Sequence, residues 1–478
     1  MSPALALLAI PALAAGLLAL TPGYRLGAGL NVAASLATFV AAVALLFADR
    51  PFAGAFLLVD ELNIVFVLLN AFVGLTAAVF SASYIGHELE TGRLTPAYLR
   101  FYHAMYQLMM MGMNLALVSN NIGLIWVAVE LATLTTVLMV GIYRTHEALE
   151  AAWKYFILGS VGIGLALFGT ILVYVAAQPV VGEGAAAMLW SELIASAGAF
   201  DPAMLNLAFV FLLLGYGTKV GLAPLHAWLP DAHAEGPTPI SAVLSGLLLN
   251  VALYAVLRFK MLMAANPEAL APGPLMVGMG LVSLIFAALT LYRRRDIKRL
   301  FAYSSIEHMG IIVFAFGMGG PLANFAGLLH MVMHSLTKSA IFYGVGSVAQ
   351  IAGTQALGRI KGLTASHPAL GWGLVAAVLA IAGLPPSGVF MSEFLLVTST
   401  FARAPVLALL LVLGILIAFG ALTLRLTGIA FGTPEGTPQP RHGSLVPMYA
   451  HITLVLVAGI WLPAPLVAWF RAVAELLG

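Results

Sequence analysis

Leu214-Gly215-Tyr216-Gly217-Thr218-Lys219-Val220-Gly221-Leu222-Ala223-Pro224 places a lysine inside an apolar run, breaks the run at Gly-Leu-Ala-Pro and lets it resume as far as Trp228. Proline lacks a backbone donor and its ring clashes with the preceding turn, so the run reads as a helix in two pieces. A matching interruption occurs at Gly383-Leu384-Pro385-Pro386-Ser387-Gly388, with Glu393 just beyond it. The two interruptions lie five apolar segments apart. Paired discontinuous helices at corresponding positions point to inverted repeats around a transport path; ordinary proline kinks, frequent in membrane helices, are the plainer alternative.

Composition fixes the surroundings of these breaks. Of 478 residues, 21 are Lys or Arg and 19 are Asp or Glu, so charged residues make up 8%, where soluble domains carry about 25%. Hydrophobic residues reach 62% and the mean hydropathy is +1.03. So few charges cannot cover a water-facing surface of this size, which excludes a soluble enzyme, a disordered chain and a nucleic-acid binder. The chain reads as an all-α polytopic membrane protein. It has no cysteine, hence no iron–sulfur cluster, thiolate zinc site or disulfide of its own. No Rossmann or P-loop glycine pattern occurs either. No cofactor is expected in this chain, and any electron carrier belongs to partner subunits.

A spanning helix needs about 20 apolar residues. Apolar runs fall near 3–21, 27–48, 62–85, 101–119, 121–142, 153–177 and 205–228, and again near 239–264, 275–292, 301–318, 323–350, 369–401, 405–430 and 447–470. That predicts fourteen spans in a single membrane domain over 1–478, with the seventh and twelfth broken. Ser119-Asn120-Asn121 divides the fourth run from the fifth. Residues 1–16 resemble a signal-peptide core but carry no Lys or Arg before Arg25, so they are expected to stay as a first helix. One set of loop ends holds fourteen basic residues, among them Arg293-Arg294-Arg295-Asp296-Ile297-Lys298-Arg299 and Arg441. The other holds five: Arg50, Arg258, Lys260, Arg403 and Arg471. The basic-rich side should face the cytoplasm, leaving both termini outside in a bacterial-type inner membrane. The basic-free stretch 178–202 is expected as an outer loop with a short amphipathic helix. The Pro/Gly-rich stretch 432–447 is expected as a cytoplasmic connection. The Arg-rich run itself serves topology, with lipid head groups or a partner subunit as contacts.

Four ionisable residues stand deep in these runs: Glu130, Lys219, Lys338 and Glu393. Such groups cost several kcal/mol in hydrocarbon and are usually placed for function. Burial weakens an ammonium's hold on its proton and a nearby carboxylate restores it. A Glu–Lys pair of adjustable separation is therefore a proton switch; a fixed structural ion pair is the alternative. His330, His334 and Lys338 recur every four residues and share one helix stripe, and histidine holds or passes a proton near neutral pH. As a metal site that stripe is weak, because lysine is a poor third ligand and no carboxylate follows nearby. Glu307 and His308 are expected near the cytoplasmic end of the tenth run, as a proton entrance or as a cap of neighbouring helices. Glu147, Glu150 and Lys154 have the spacing of a surface helix start.

Three stretches carry a family resemblance: KVGLAPLHAWLPDAHAEGPTP over 219–239, DIKRLFAYSSIEHMG over 296–310, and 330–342. The chain resembles the antiporter-like proton-conducting subunits shared by respiratory complex I, Mrp-type cation/proton antiporters and membrane-bound hydrogenases. NNIGLIWVAVE, EAAWKYFILG and SSIEHMGI are most similar to hydrogenase-4 component F. The resemblance covers about residues 60 to 430. It implies fourteen helices, with helices four to eight (101–264) and nine to thirteen (275–430) as inverted repeats around a hydrated mid-membrane path. By motif match, Glu130 is the helix-five glutamate, Lys219 its partner, Lys338 with His330 and His334 the helix-eleven relay, and Glu393 the terminal residue. His226, Asn250, Glu307 and His308 are candidate entrance or supporting groups. Many members carry lysine or histidine where Asn250 stands; an amide does not take up a proton at neutral pH, so the central hop is expected to need water or to be impaired. The long lateral helix of the largest members is expected to be absent.

The expected function is a proton-translocating subunit of a hydrogenase-4-like or complex I-like oxidoreductase. Its expected partners are membrane lipids, other membrane subunits of the family, and peripheral redox subunits with nickel–iron or iron–sulfur centres. An Mrp-type antiporter subunit, or a scaffold with an impaired channel, are the alternatives.

Overall fold

The computed structural model describes residues 2–434 and 443–478, so Met1, Arg441 and part of the connection expected over 432–447 lie outside the described residues. The chain begins with two apolar helices, α1 (Pro3–Leu20) and α2 (Tyr24–Ala44). A short antiparallel pair, Phe52–Ala53 with Leu58–Val59, then interrupts the all-helical pattern. The sequence reading does not anticipate it. The next helices are α3 (Glu61–Glu90), α4 (Pro96–Val118), α5 (Ile122–Val140) and α6 (His146–Val181).

Their starts are local chemistry. Asp60 and Asn63 cap α3 reciprocally, Asn121 accepts from the Gly123 and Leu124 amides, and Thr145 accepts from Ala148. Each of these side chains satisfies amides that a helix start leaves without partners. Asn121 is thus why α4 and α5 separate where the Ser-Asn-Asn turn stands. The basic-free stretch that follows contains the short helix α7 (Trp190–Ser196), as expected.

The quoted run is α8 (Pro202–Val220), a break over 221–227, and α9 (Trp228–Glu235). Gly221 takes the left-handed conformation at φ 82°, and the Leu222 amide reaches back to the Gly217 carbonyl at 2.9 Å. That is a glycine-terminated helix end whose last carbonyls are satisfied by the turn itself. After α9 come α10 (Thr238–Val243), a π-turn over Leu244–Leu248, and α11 (Leu249–Ala264). The eighteen most apolar residues of this continuous helix are all buried, so it is the central post of the molecule.

The chain continues with α12 (Gly273–Leu291), α13 (Ile297–Met318) and α14 (Pro321–Ala352). After the small helix α15 (Leu363–Ser366), the second broken run is α16 (Pro368–Ile381) and α17 (Gly388–Arg403). Gly383 has φ 76°, and Leu384 N–H bonds the Leu379 carbonyl at 3.1 Å, the same closure as in the first break. Close approach is built in likewise. A Cβ on Gly215 of α8 would meet the α6 backbone at Gly162 and Ala166, and one on Gly310 of α13 would meet α12 at Gly280 and Leu284. Small residues are what let membrane helices touch backbone to backbone.

The chain finishes with α18 (Pro405–Ala430), α19 (Val446–Ile460) and α20 (Ala464–Leu476). The run expected as one span over 447–470 is two helices bent by 82°. Pro463 and Pro465 cannot continue a helix through that point. Among the described residues, ten helices are long and apolar enough to cross a membrane, or eleven if this bent pair counts as one. On α18, Leu409, Leu413 and Leu416 are exposed while Leu411, Gly414 and Ala418 are buried. That apolar exterior suits lipid, and the interior is where polar groups gather.

Candidate functional site

Lys219 sits in the last turn of α8, two residues before the break, and is buried. Its Nζ lies 3.6 Å from Glu130 Oε2 on α5, and neither atom has a hydrogen-bond partner. The pair is in Coulombic contact without being locked. A Cβ on Gly159 of α6 would stand 2.8 Å from the ammonium, so that glycine makes the room the lysine occupies. Tyr155 walls the other side, with its ring 5.8 Å from the ammonium and stacked at 4.2 Å on Trp228. The Trp228 indole donates to the Thr218 carbonyl at 2.8 Å, tying the start of α9 to the end of α8 across the break.

The second cluster forms where α13, α14 and α17 meet. Lys338 is fully buried and donates to the Phe301 carbonyl at 3.1 Å. The stripe expected on α14 exists, but it is α13 that completes it. Glu307 and His308 lie about three turns into α13 and are buried inside the protein. The hydrogen bonds here have a direction. The Ser392 hydroxyl donates to the Val389 carbonyl at 2.7 Å, so it accepts from His330 Nδ1–H at 2.9 Å. His330 Nε2 then accepts from His308 Nδ1–H, also at 2.9 Å. That leaves His308 Nε2 facing Glu307 Oε2 at 3.4 Å, and Ser304 donates to the same oxygen at 3.4 Å. His334, whose ring centre lies 5.6 Å from that of His308, has no partner at either nitrogen. Glu393 on α17 folds back against Gly383, where a Cβ would strike its carboxylate. Glycine at that position is required by space as well as by φ.

Between the clusters stands the α10–α11 post. Asn250 Nδ2 donates to Ser335 Oγ at 2.6 Å and to the Gly246 carbonyl at 3.1 Å, while its Oδ1 has no partner. Ser335 is next to His334, so Asn250 touches the second cluster directly. His226 lies in the first break and packs on Phe286, with ring centres 4.7 Å apart, and no hydrogen bond joins it to Lys219.

Three buried groups were not legible in the sequence. His233 on α9 is fully buried, stacks 4.8 Å from Phe342 and has no partner at either nitrogen. It stands seven residues after His226, but His226 lies in the break and His233 on α9, so no helical spacing marked it. Lys298 was assigned to topology; it is buried and donates to the Ala234 and Gly236 carbonyls at 3.0 and 2.6 Å. A charge count by loop does not show which way a side chain folds. Arg258, placed with the outer charges, is likewise buried and pairs with Asp60 at 2.7 Å. A cavity of about 570 Å³ opens beside this end of α9, lined by Glu88, Arg93, Glu235, Lys298 and Gln350.

Broken helices, buried lysines with facing acids, and a histidine chain inside a lipid-compatible shell define a multi-pass membrane protein of the ion-handling kind. The chain belongs to the family described as NADH:quinone oxidoreductase/Mrp antiporter, transmembrane, whose profile matches residues 119–418. It is 61% identical over 474 residues, 99% of each chain, to a hydrogenase-4 component F homolog of Methylacidiphilum infernorum. Two solved structures share the fold. A chain of the archaeal membrane-bound sulfane sulfur reductase superposes with TM-score 0.89 at 22% identity, covering 100% of this chain and 98% of that one. A chain of the Mrp complex from Dietzia sp. superposes with TM-score 0.86 at 20% identity, covering 100% and 97%.

Proposed function

We propose that this chain is a proton-translocating membrane subunit of a hydrogenase-4-like or complex I-like oxidoreductase. The observation that carries this reading is the Glu130–Lys219 pair, held 3.6 Å apart with no other partner at either atom. A cation so placed changes its hold on a proton when its single counter-charge moves. Redox chemistry in partner subunits moves that counter-charge, and the proton passes toward Lys338, His334, His308, His330 and Glu393. The cavity beside Lys298 is the cytoplasmic mouth, and His233 joins it to Lys338. Asn250 and Ser335, with water, carry the central hop.

The same reading takes all fourteen apolar runs as crossing the membrane, with 101–264 and 275–430 as inverted repeats. The matching closures at Gly221 and Gly383 support it. Both termini face the periplasmic side of an inner membrane, other membrane subunits flank the chain, and nickel–iron and iron–sulfur centres sit in peripheral subunits. The relative named as a hydrogenase-4 component favours this assignment. The Mrp likeness, which is one of fold, keeps an antiporter subunit as the second reading.

Acidification of inverted membrane vesicles, followed with a pH-sensitive dye, tests the proposal. Lys219→Ala should abolish coupled proton movement while the complex still assembles; normal pumping by that variant overturns it. Co-purifying iron–sulfur or nickel–iron subunits favour the first reading. Sodium-dependent proton flux without them favours the second.

A further inference from the structure

We propose that His308, His330 and Glu393 form a binding site for a zinc-class divalent cation, and that an ion bound there plugs the proton path. One ligand atom from each of the three lies within 4.8 Å of the others, and all three residues are buried. Two imidazoles and one carboxylate are a zinc donor set, with the remaining position open to water. The sequence pattern alone lacked the carboxylate; the α16–α17 break supplies it by turning Glu393 back onto Gly383.

The outer hydrogen bonds are those such a site needs. Metal-bound histidines almost always donate the other ring N–H to a carboxylate, carbonyl or water, which fixes their tautomer and orientation. His330 already has that arrangement, with Nδ1–H on Ser392 and Nε2 turned inward. His308 has Nε2 toward Glu307 at 3.4 Å and Nδ1 inward. Binding therefore requires one change of tautomer: the His308 proton leaves Nδ1 for Nε2, where Glu307 accepts its hydrogen bond. It also requires a small opening. The inward nitrogens are 2.9 Å apart, and two nitrogens bound tetrahedrally at about 2.0–2.1 Å stand about 3.4 Å apart. Charge is matched as well, since the ion faces the Glu393 carboxylate and Glu307 stands behind His308.

The ligand set stands by itself; the plugging rests on the proton-path reading. The two separate in experiment. Full-length chain purified in detergent is titrated with Co²⁺, read by its ligand-field absorption, and with Zn²⁺, read by bound metal per chain and by the rise in Tm. One ion per chain is expected. Glu393→Gln and His308→Gln should each abolish stoichiometric binding, and their Tm without metal shows that they fold. Glu307→Gln should weaken binding by about ten- to a hundredfold without abolishing it. His334→Gln should leave the stoichiometry at one. Absence of stoichiometric binding, or binding unchanged in Glu393→Gln and His308→Gln, overturns the site. In proteoliposomes, Zn²⁺ should then stop proton flux through the wild-type complex. Stoichiometric binding with undiminished flux leaves the metal site standing and overturns the path through it.

Discussion

The two buried lysines are held in opposite ways. Lys219 has one acidic neighbour and no hydrogen bond, next to a glycine that leaves it space. Lys338 is anchored to the Phe301 carbonyl, and the two helices that hold it, α13 and α14, also carry the linked Glu307, His308 and His330 with His334 beside His308. The breaks differ in the same sense. In the first, the ionisable group precedes the interruption; in the second, Glu393 follows it and folds back. An isolated ion pair responds to the movement of one partner, whereas a cluster shares a proton among several groups and tolerates the loss of one. Under the proposed function, the first site switches and the second stores.

The comparison breaks most readily at its acids. Glu130→Gln leaves Lys219 without any counter-charge and should cut proton movement by about a hundredfold or more, the scale of a lost acid–base group. Glu307→Gln leaves three histidines and Glu393 in place and should cost about tenfold, or some 1.4 kcal/mol. Equal losses in the vesicle assay would remove the distinction between switch and store. The glycines come next. Gly221→Ala and Gly383→Ala both put a side chain at positive φ and should each lower stability by about 1–3 kcal/mol in thermal melts. Only the second also displaces a carboxylate, so Gly383→Ala should lose flux beyond its loss of stability. Gly159→Ala pushes on the flexible end of Lys219, so it should cost less than about 1 kcal/mol in stability. Its flux should nevertheless fall severalfold, because the push is on the switch itself.

Much of this arrangement was legible from residue type and spacing. The two Gly-Leu-x-Pro breaks, the divide at Asn121 and the α14 stripe follow from local rules that hold wherever such residues occur. The bend within 447 to 470 was not legible because hydropathy has no term for direction, and Pro463 turns an apolar run without interrupting its apolarity. The site was legible by parts. Glu130 and Lys219 stand out because each is alone in a run of hydrocarbon. The burial of His308 and Glu307 was not legible from their distance to the basic loop, because it follows from the packing of α13, which is buried along almost its whole length. Lys298 and Arg258 were lost among loop charges because burial of a terminal side chain depends on which helix packs over it.

Asn250 gives the finest test of the path between the two sites. Its amide donates to Ser335, and its Oδ1 has no protein partner, so it can orient a hydrogen-bonded neighbour but cannot itself hold an extra proton. If water carries the hop, Asn250→Ala removes only that orientation. A hydrogen bond of this kind is worth about 0.5–1.5 kcal/mol, so flux should fall by no more than about tenfold at the conversion of 1.36 kcal/mol per decade. Ser335→Ala, which takes away the other end of the same bond, should fall by a similar factor, and the double variant should be little worse than either, because both remove one interaction. A loss at Asn250→Ala as deep as at Lys219→Ala would mean that the amide is an obligatory carrier. No measurable loss would mean that the proton does not pass between the halves at this point, leaving the two lysine sites to work as separate paths.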